Sequence, residues 1–376
     1  MKGGDVIIVG AGVVGAACAD ACARAGLRVT VCDAQGIGGG ATAAGMGHLV
    51  VMDDSEAQFA LTERSQRLWR ALAPKLPQAA EYTPSGTIWV AADAEDMATV
   101  EHKHAFYGER GVATEVLGVA ALAREEPNLR AGLAGGLLVA SDAVLYPPVA
   151  AAVLLERSGA TLKLNSPALG IGAGVVRLRD GGELRAPHIV NAVGVAAASL
   201  TPGLPIRARK GHLAITERYR GWLRHQLVEL GYLKSAHSQD GDSVAFNAQP
   251  RATGQILIGS SRQFVSDDAH ADGAIDHRML ARMLRRAQLY MPALAGLAAL
   301  RIWTGLRAAT PDGLPLIGPV RGDASVILAT GHEGLGITTA LATGELVAAH
   351  ITGSAPAIAP EPYLPDRFQE AHGHHG

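Results

Sequence analysis

The sequence predicts an α/β fold: a parallel-sheet domain interrupted by a second, α+β domain that is mainly antiparallel. Three observations predict it. The first 33 residues run from a short apolar segment through a glycine turn and an alanine-rich helical stretch into a second apolar segment. The middle of the chain alternates or runs apolar as strands around one amphipathic helix, and a glycine turn leads directly into a helix near the C-terminus. At 376 residues the chain exceeds one ordinary domain.

The opening element is "DVIIVGAGVVGAACADACARAGLRVTVCD". Val6 to Val9 read as a strand, Gly10-Ala11-Gly12-Val13-Val14-Gly15 as a turn into a helix, and Val29 to Cys32 as a second strand ending in Asp33. This is the complete βαβ setting of G-x-G-x-x-G, a Rossmann-like unit. Gly10 permits the tight turn, Gly12 lets backbone approach a pyrophosphate, and Gly15 allows close helix-to-strand packing. Asp33, 18 positions after Gly15, stands where an acid accepts from a ribose 2′-hydroxyl and disfavours a 2′-phosphate. The expected ligand is FAD or NAD.

The next stretch separates those two. "GIGGGATAAGMGHLV" (36–50) holds six glycines in fifteen positions and ends near the lone His48. Such a density means that backbone approaches something closely or takes positive φ. Instead of continuing the sheet, the loop suits a long cofactor, with small residues along the pyrophosphate and Gly45 to His48 reaching an isoalloxazine ring. Thr42 either donates to a phosphate oxygen or caps a helix.

Beyond the loop, residues 56–76 have helical periodicity, with Phe59, Leu61, Leu68, Trp69 and Leu72 available for one face, and 86–92 read as a strand. Residues 93–126 look like charged helices and connections. Pro147 and Pro148 start a helix that Gly159 stops. Segments 206–217, 243–248 and 255–261 read as strands, and "HRMLARMLRRAQLYM" as an amphipathic helix. The expected domains are 1–86, 140–205 and 300–376 for the nucleotide, and 87–139 and 206–299 for the substrate.

Composition excludes several classes. Hydrophobic residues make up 48% and the net charge is −2, against disorder and against a general nucleic-acid surface. Cys18, Cys22 and Cys32 have no metal-ligand partners nearby and read as small buried apolar residues, and their odd number without a signal sequence fits a reducing cytosol. No apolar run predicts a membrane span, the N-terminus leaves no room for a signal peptide, and no metal is expected. The expected location is cytoplasmic. The tail "FQEAHGHHG" is expected to be a disordered end.

With these motifs in order, the chain resembles the FAD-dependent oxidoreductases of the D-amino acid oxidase family. The landmarks are "VIIVGAGVVG", "GATAAGMGH", "HIVNAVGVAA", "PIRARKGHL", "QILIGSSRQF", "WTGLRAATPDGLPLIGP" and "GHEGLGITTALATGEL". Within the family, "GMGHLV", "AFNAQPRATGQILIGSSRQF" and "GHEGLG" look most like D-hydroxyproline dehydrogenases. The resemblance implies a FAD-binding domain with an inserted substrate-binding domain and non-covalent FAD, because no cysteine follows Cys32. It implies cofactor contacts from the Gly10–Gly15 turn, Asp33, Ala34 and Gln35. Further contacts follow from Gly40, Ala41, Thr42, Ala44, Gly45, Met46, Gly47, His48 and Leu49 along the loop, and from Ala168, Ala192 and Gly194. At the C-terminal helix, Gly334, Leu335, Gly336, Ile337 and Thr338 would direct backbone N–H groups and the positive end of the helix dipole at the anionic edge of a reduced flavin.

Substrate chemistry centres on Arg307 in "GLRAATPDG". A planar guanidinium binds both oxygens of a carboxylate, and the resemblance assigns that role to this arginine, which also borders the flavin. Two departures separate this chain from glycine oxidase: Gly334 or its neighbour stands where that enzyme has a second arginine, and Asn247 replaces a tyrosine. His48, Asn247, Tyr232, His332, Glu333 and Arg262 remain as polar candidates around a compact ring substrate. The expected reaction is hydride transfer from the substrate α-carbon to flavin N5, giving a cyclic imine from cis-4-hydroxy-D-proline. A glycine, sarcosine or other amine oxidase making hydrogen peroxide is the alternative; a third reading is a flavin-holding subunit that works only with partners. The electron acceptor could be a quinone, a carrier or partner subunits, and homo- or hetero-oligomers are compatible with the chain.

Overall fold

A computed structural model describes residues 4–231, 241–265 and 273–368. Val6–Val9 lies inside a six-stranded sheet ordered Leu316–Val320, Asp323–Thr330, His188–Asn191, Val6–Val9, Val29–Cys32, Thr161–Lys163. Its pairs are parallel except for the first, which is an antiparallel hairpin. The inner strands are continuous apolar runs because helices cover the sheet. Helices Val13–Arg24 and Gly336–Thr352 approach so closely that a Cβ on Gly344 would stand 2.5 Å from the Ala17 carbonyl oxygen. Cys18, Cys22 and Cys32 are free and buried, and burial pushes the thiols of Cys22 and Cys32 up to about 12.

The second sheet has eight strands, in the order Ala299–Ala309, Arg207–Thr216, Ile256–Phe264, Ser243–Pro250, Gln226–Glu229, Thr87–Ala91, Gly135–Val139, Glu115–Gly118. It is antiparallel except where Gln226–Glu229 runs parallel to Thr87–Ala91. Strand alternation sorts its residues between two faces. Ile88, Val90, Leu227, Phe246 and Ala248 turn outward against the helix His277–Tyr290. Trp89 and Val228 turn inward, toward Val50, Val51, Met52 and the helix Ala94–Glu109.

Helices form at Glu56–Leu72 and at Pro147–Ser158, the latter closed by Gly159 at φ +60°, as the proline and glycine signals predict. Other features differ from the sequence pattern. The strand Ala299–Ala309 joins the eight-stranded sheet through a ten-pair ladder with Arg207–Thr216, so the boundary expected at 300 falls inside that sheet. The strand Gln226–Glu229, the three-stranded sheet Ala168–Gly172, Val175–Leu178, Glu183–Arg185, and the short ladder of His48–Leu49 with Ala143–Val144 were not anticipated. Each is short or built on distant partners, which local periodicity does not register.

Candidate active site

A cavity of about 720 Å³ runs from Asp33, at the carboxyl end of the second strand, to Arg307 and the inner face of the eight-stranded sheet. The glycine turn is built to leave room for it. Gly10 has φ +113°, and a Cβ there would stand 2.5 Å from the Ala192 carbonyl oxygen; a Cβ on Gly15 would stand 2.0 Å from that of Gly10. Gly12, Val13 and Val14 line the cavity, whereas Ala11 and Gly15 serve packing. Asp33 accepts from the backbone N–H groups of Ala11 and Gln35, each at 2.7 Å, which fixes its carboxylate at the cavity edge beside Ala34 and Gln35.

Along the loop, Gly40, Ala41, Thr42, Ala44, Gly45, Met46 and His48 border the cavity. Thr42 Oγ1 accepts from the Val13 N–H at 3.0 Å, tying the loop to the first turn of the helix. Gly47 and Leu49 face away: a Cβ on Gly47 would stand 1.9 Å from the Leu145 carbonyl oxygen, and Leu49 is buried in the core. Ala168, Ala192 and Gly194 complete this wall.

At the far end, the first N–H groups of the helix Gly336–Thr352, which like those of any helix lack intrahelical acceptors, have no side-chain cap either, and Gly334, Leu335, Gly336 and Ile337 border the cavity there. The Thr338 side chain does not reach it; its hydroxyl donates to the His48 carbonyl at 2.9 Å, stapling helix to loop. His48 Nε2 lies 3.2 Å from the Gly334 carbonyl, and since that oxygen only accepts, Nε2 carries the proton. Nδ1 is then an acceptor, buried and without a partner. Burial pushes the His48 imidazole down to about 4, with the Arg307 charge adding to the effect. His332 lies at the same end, bonded to Thr343 Oγ1 at 3.0 Å, and burial pushes it down to about 3.

Arg307 is held from behind. Its Nη1 donates to the Ser261 carbonyl at 2.9 Å, and the space it fills exists because residue 211 is glycine, where a Cβ would stand 2.5 Å from that nitrogen. Ser261 Oγ accepts from the His212 N–H and lies 2.9 Å from His212 Nδ1, while His212 Nε2 accepts from the Asp276 N–H at 3.0 Å. His212 therefore joins the cap of the helix His277–Tyr290 to the strand that holds Arg307. Glu333, at φ +46°, accepts from Arg209 Nη1 at 2.6 Å and stands 3.9 Å from Arg262 Nε.

The structure thus gathers Arg307, His48, His332, Asn247, Glu333 and Arg262 on one cavity. Tyr232 lies outside the described residues. Sequence reasoning missed Trp89, Gln226 and Arg209, which also border it, together with His212 behind it. Strand register places the first two, and no local motif signals them. Among the described residues, no group of three or more His, Cys, Asp or Glu is placed to hold a metal ion, and no helix is long and apolar enough to cross a membrane.

A glycine cradle beside an acid, a small-residue loop and an uncapped helix end at the opposite pole fit a dinucleotide with a ring system at its far end, and so define a flavin-dependent oxidoreductase. The chain belongs to the FAD dependent oxidoreductase family (DAO), whose description matches residues 5–350. It is 28% identical to hydrogen cyanide synthase subunit HcnC of Pseudomonas protegens, across 98% of this chain and 97% of that one. It is also 28% identical to a D-amino acid dehydrogenase of Methylobacterium nodulans, across 83% and 74%. The crystal structure of glycine oxidase from Geobacillus kaustophilus matches with a TM-score of 0.86 at 25% identity, covering 98% of this chain and 99% of that one. The protein is an enzyme of this class, with FAD as cofactor, acting on amino acids or amines.

Proposed function

We propose that the enzyme oxidises a D-amino acid at its α-carbon, with cis-4-hydroxy-D-proline as substrate, and that FAD is bound without a covalent link. The observation that carries the reading is Arg307, a guanidinium fixed by the Ser261 carbonyl on the wall of the cavity whose other end fits FAD. A zwitterion needs such a fixed cation for its carboxylate, and the bidentate fork sets the orientation of the α-carbon.

FAD held by the Gly10–Gly15 turn, the loop 36–50 and the start of the helix Gly336–Thr352 would supply the two-electron oxidant for the α-carbon. The protein's own residues orient and desolvate. Arg307 grips the carboxylate. His48, neutral at physiological pH with Nδ1 unprotonated, offers the substrate amine an acceptor. The free N–H groups at the start of the helix Gly336–Thr352 favour negative charge at the cavity end where they emerge. The D configuration is supported by the relative named for D-amino acid dehydrogenation.

Anaerobic mixing of the FAD-loaded protein with cis-4-hydroxy-D-proline, D-proline, D-alanine, sarcosine and glycine tests the reading through bleaching of the visible flavin band. Fast bleaching by the cyclic D-amino acids with slow return in air is expected. Preferential bleaching by glycine or sarcosine with peroxide formed on aeration would favour an amine oxidase instead. Arg307→Met should raise KM for carboxylate substrates by about 100-fold while FAD stays bound.

A second reading has its own support. The relative HcnC is named as a subunit, so this chain could hold FAD as one member of a hetero-oligomer. Flavin that stays oxidised with every substrate until a partner is supplied would select that reading.

A further inference from the structure

We propose that Trp89, Gln226 and Asn247 form a distal subsite that selects a neutral group able both to donate and to accept a hydrogen bond, a hydroxyl on the substrate side chain. This deepens the amino acid reading above and rests on it. Trp89 Nε1, Gln226 Oε1 and Asn247 Oδ1 are all buried without a hydrogen-bond partner, and all three residues border the cavity. Unpaired polar atoms are costly in a protein interior. Three on one wall of a ligand cavity point to a partner that arrives with the substrate.

Their arrangement is set by register. Trp89 pairs with Val228, and Val228 with Asn247, so the three stand abreast on adjacent strands. Neighbouring strands lie about 4.8 Å apart, which separates the Trp89 and Asn247 backbones by roughly 10 Å. Gln226 sits two residues before Val228 on the middle strand, on the same face. The result is a triangle of polar side chains around an apolar Val228 floor, with Trp89 and Gln226 each 2% exposed, Val228 4% and Asn247 7%.

The donor set fixes the chemistry. Each amide brings an oxygen that accepts and an NH2 group that donates, and the indole N–H donates, so a hydroxyl finds both an acceptor and a donor. None of the three carries the positive charge that a buried carboxylate needs. Lys103, whose Nζ lies 4.5 Å from the Trp89 ring centroid, is 1% exposed and ion-paired with Asp53; it polarises the indole rather than offering a charge to the substrate. Gln249, on the same strand as Asn247, does not border the cavity; it donates its Nε2 to the Met46 carbonyl at 2.9 Å and holds the loop.

The FAD-loaded enzyme is tested with the pair cis-4-hydroxy-D-proline and D-proline, comparing the ratio of their kcat/KM values in the native protein, Asn247→Leu and Gln226→Met. A site built to bond a hydroxyl rejects the analogue that lacks it, so a native ratio of at least about 100 is expected, falling at least tenfold or so in either variant. A native ratio near one, or variants that keep the native ratio, would overturn the subsite. A second readout needs no turnover: 4-hydroxybutyrate should raise Tm more than its near-isostere pentanoate in the native protein, and the difference should vanish in the variants. Equal shifts in the native protein also overturn the subsite. If no amino acid reduces the flavin but the 4-hydroxybutyrate preference is present, the subsite stands and the amino acid reading falls.

Discussion

His48 and His332 stand on the cavity wall as neutral imidazoles because burial disfavours their charged forms, pushing them down to about 4 and about 3. In the unfolded chain both take up protons near their ordinary value. Between that value and the lowered one the unfolded state holds more protons, so stability is full above about 6.5 and is lost as pH falls from there toward 4. His48 alone accounts for up to about 3 kcal/mol over that window. Urea unfolding of the FAD-loaded protein across pH, compared with His48→Gln, should give a flatter acid limb for the variant; identical limbs would refute the assignment. Asp142 works in the opposite sense. Burial raises its carboxyl to about 7 against the hydrogen bonds it accepts from the Val51 N–H and Gln66 Nε2 and against the Lys103 charge. The folded state then holds the proton that the unfolded state has lost, and stability falls as pH rises from about 4 to 7. Asp142→Asn keeps an acceptor for the Val51 N–H and Gln66 Nε2, and should be more stable than the native protein at pH 8 by roughly 2 kcal/mol. An equal or lower Tm for the variant at that pH would contradict this.

The glycines at helix contacts are as specific as the polar residues. Gly344 lets Gly336–Thr352 lie against Val13–Arg24, and both helices present their N-termini to the cavity. Gly344→Val would drive a side chain into the Ala17 carbonyl, 2.5 Å from the Cβ position, at a cost of about 3 kcal/mol, and should lower the flavin-to-protein ratio after purification. Gly36→Ala, with no atom within 4 Å of its Cβ position, is the matched control; equal flavin retention in the two variants would show that the helix contact does not set cofactor binding. This also marks what the sequence makes legible at the level of elements. The Gly10–Gly15 turn, the loop 36–50 and the Pro147 start are readable because glycine and proline act on local backbone. Gln226–Glu229 is not, because four residues carry little periodicity and its strand character comes from the distant Thr87–Ala91. Gln226 and Trp89 escape notice for the same reason: register brings them to the cavity.

At the scale of the whole molecule, the cavity is walled on one side by the carboxyl ends of the parallel strands and on the other by the inner face of the eight-stranded sheet. Local motifs announce the first wall; the second is assembled from strands scattered between Thr87 and Ala309, so the sequence yields Arg307, Asn247 and Arg262 but not Trp89 and Gln226, which register brings beside them. A ligand filling this space touches both walls, and its binding energy adds to the stability of both. Saturating FAD should stabilise the folded protein by about 2.7 kcal/mol at 100 times its Kd, and stripping it should reverse the gain. Hydrogen exchange separates this from a cofactor held by one half alone. If FAD ties the walls together, amides of Val6–Val9 and of Arg207–Thr216 gain protection in step as FAD is titrated, since the opening that exposes one must then break contacts to the other. Protection confined to Val6–Val9 and its neighbours, with Arg207–Thr216 unchanged, would mean that the eight-stranded sheet opens independently of the cofactor.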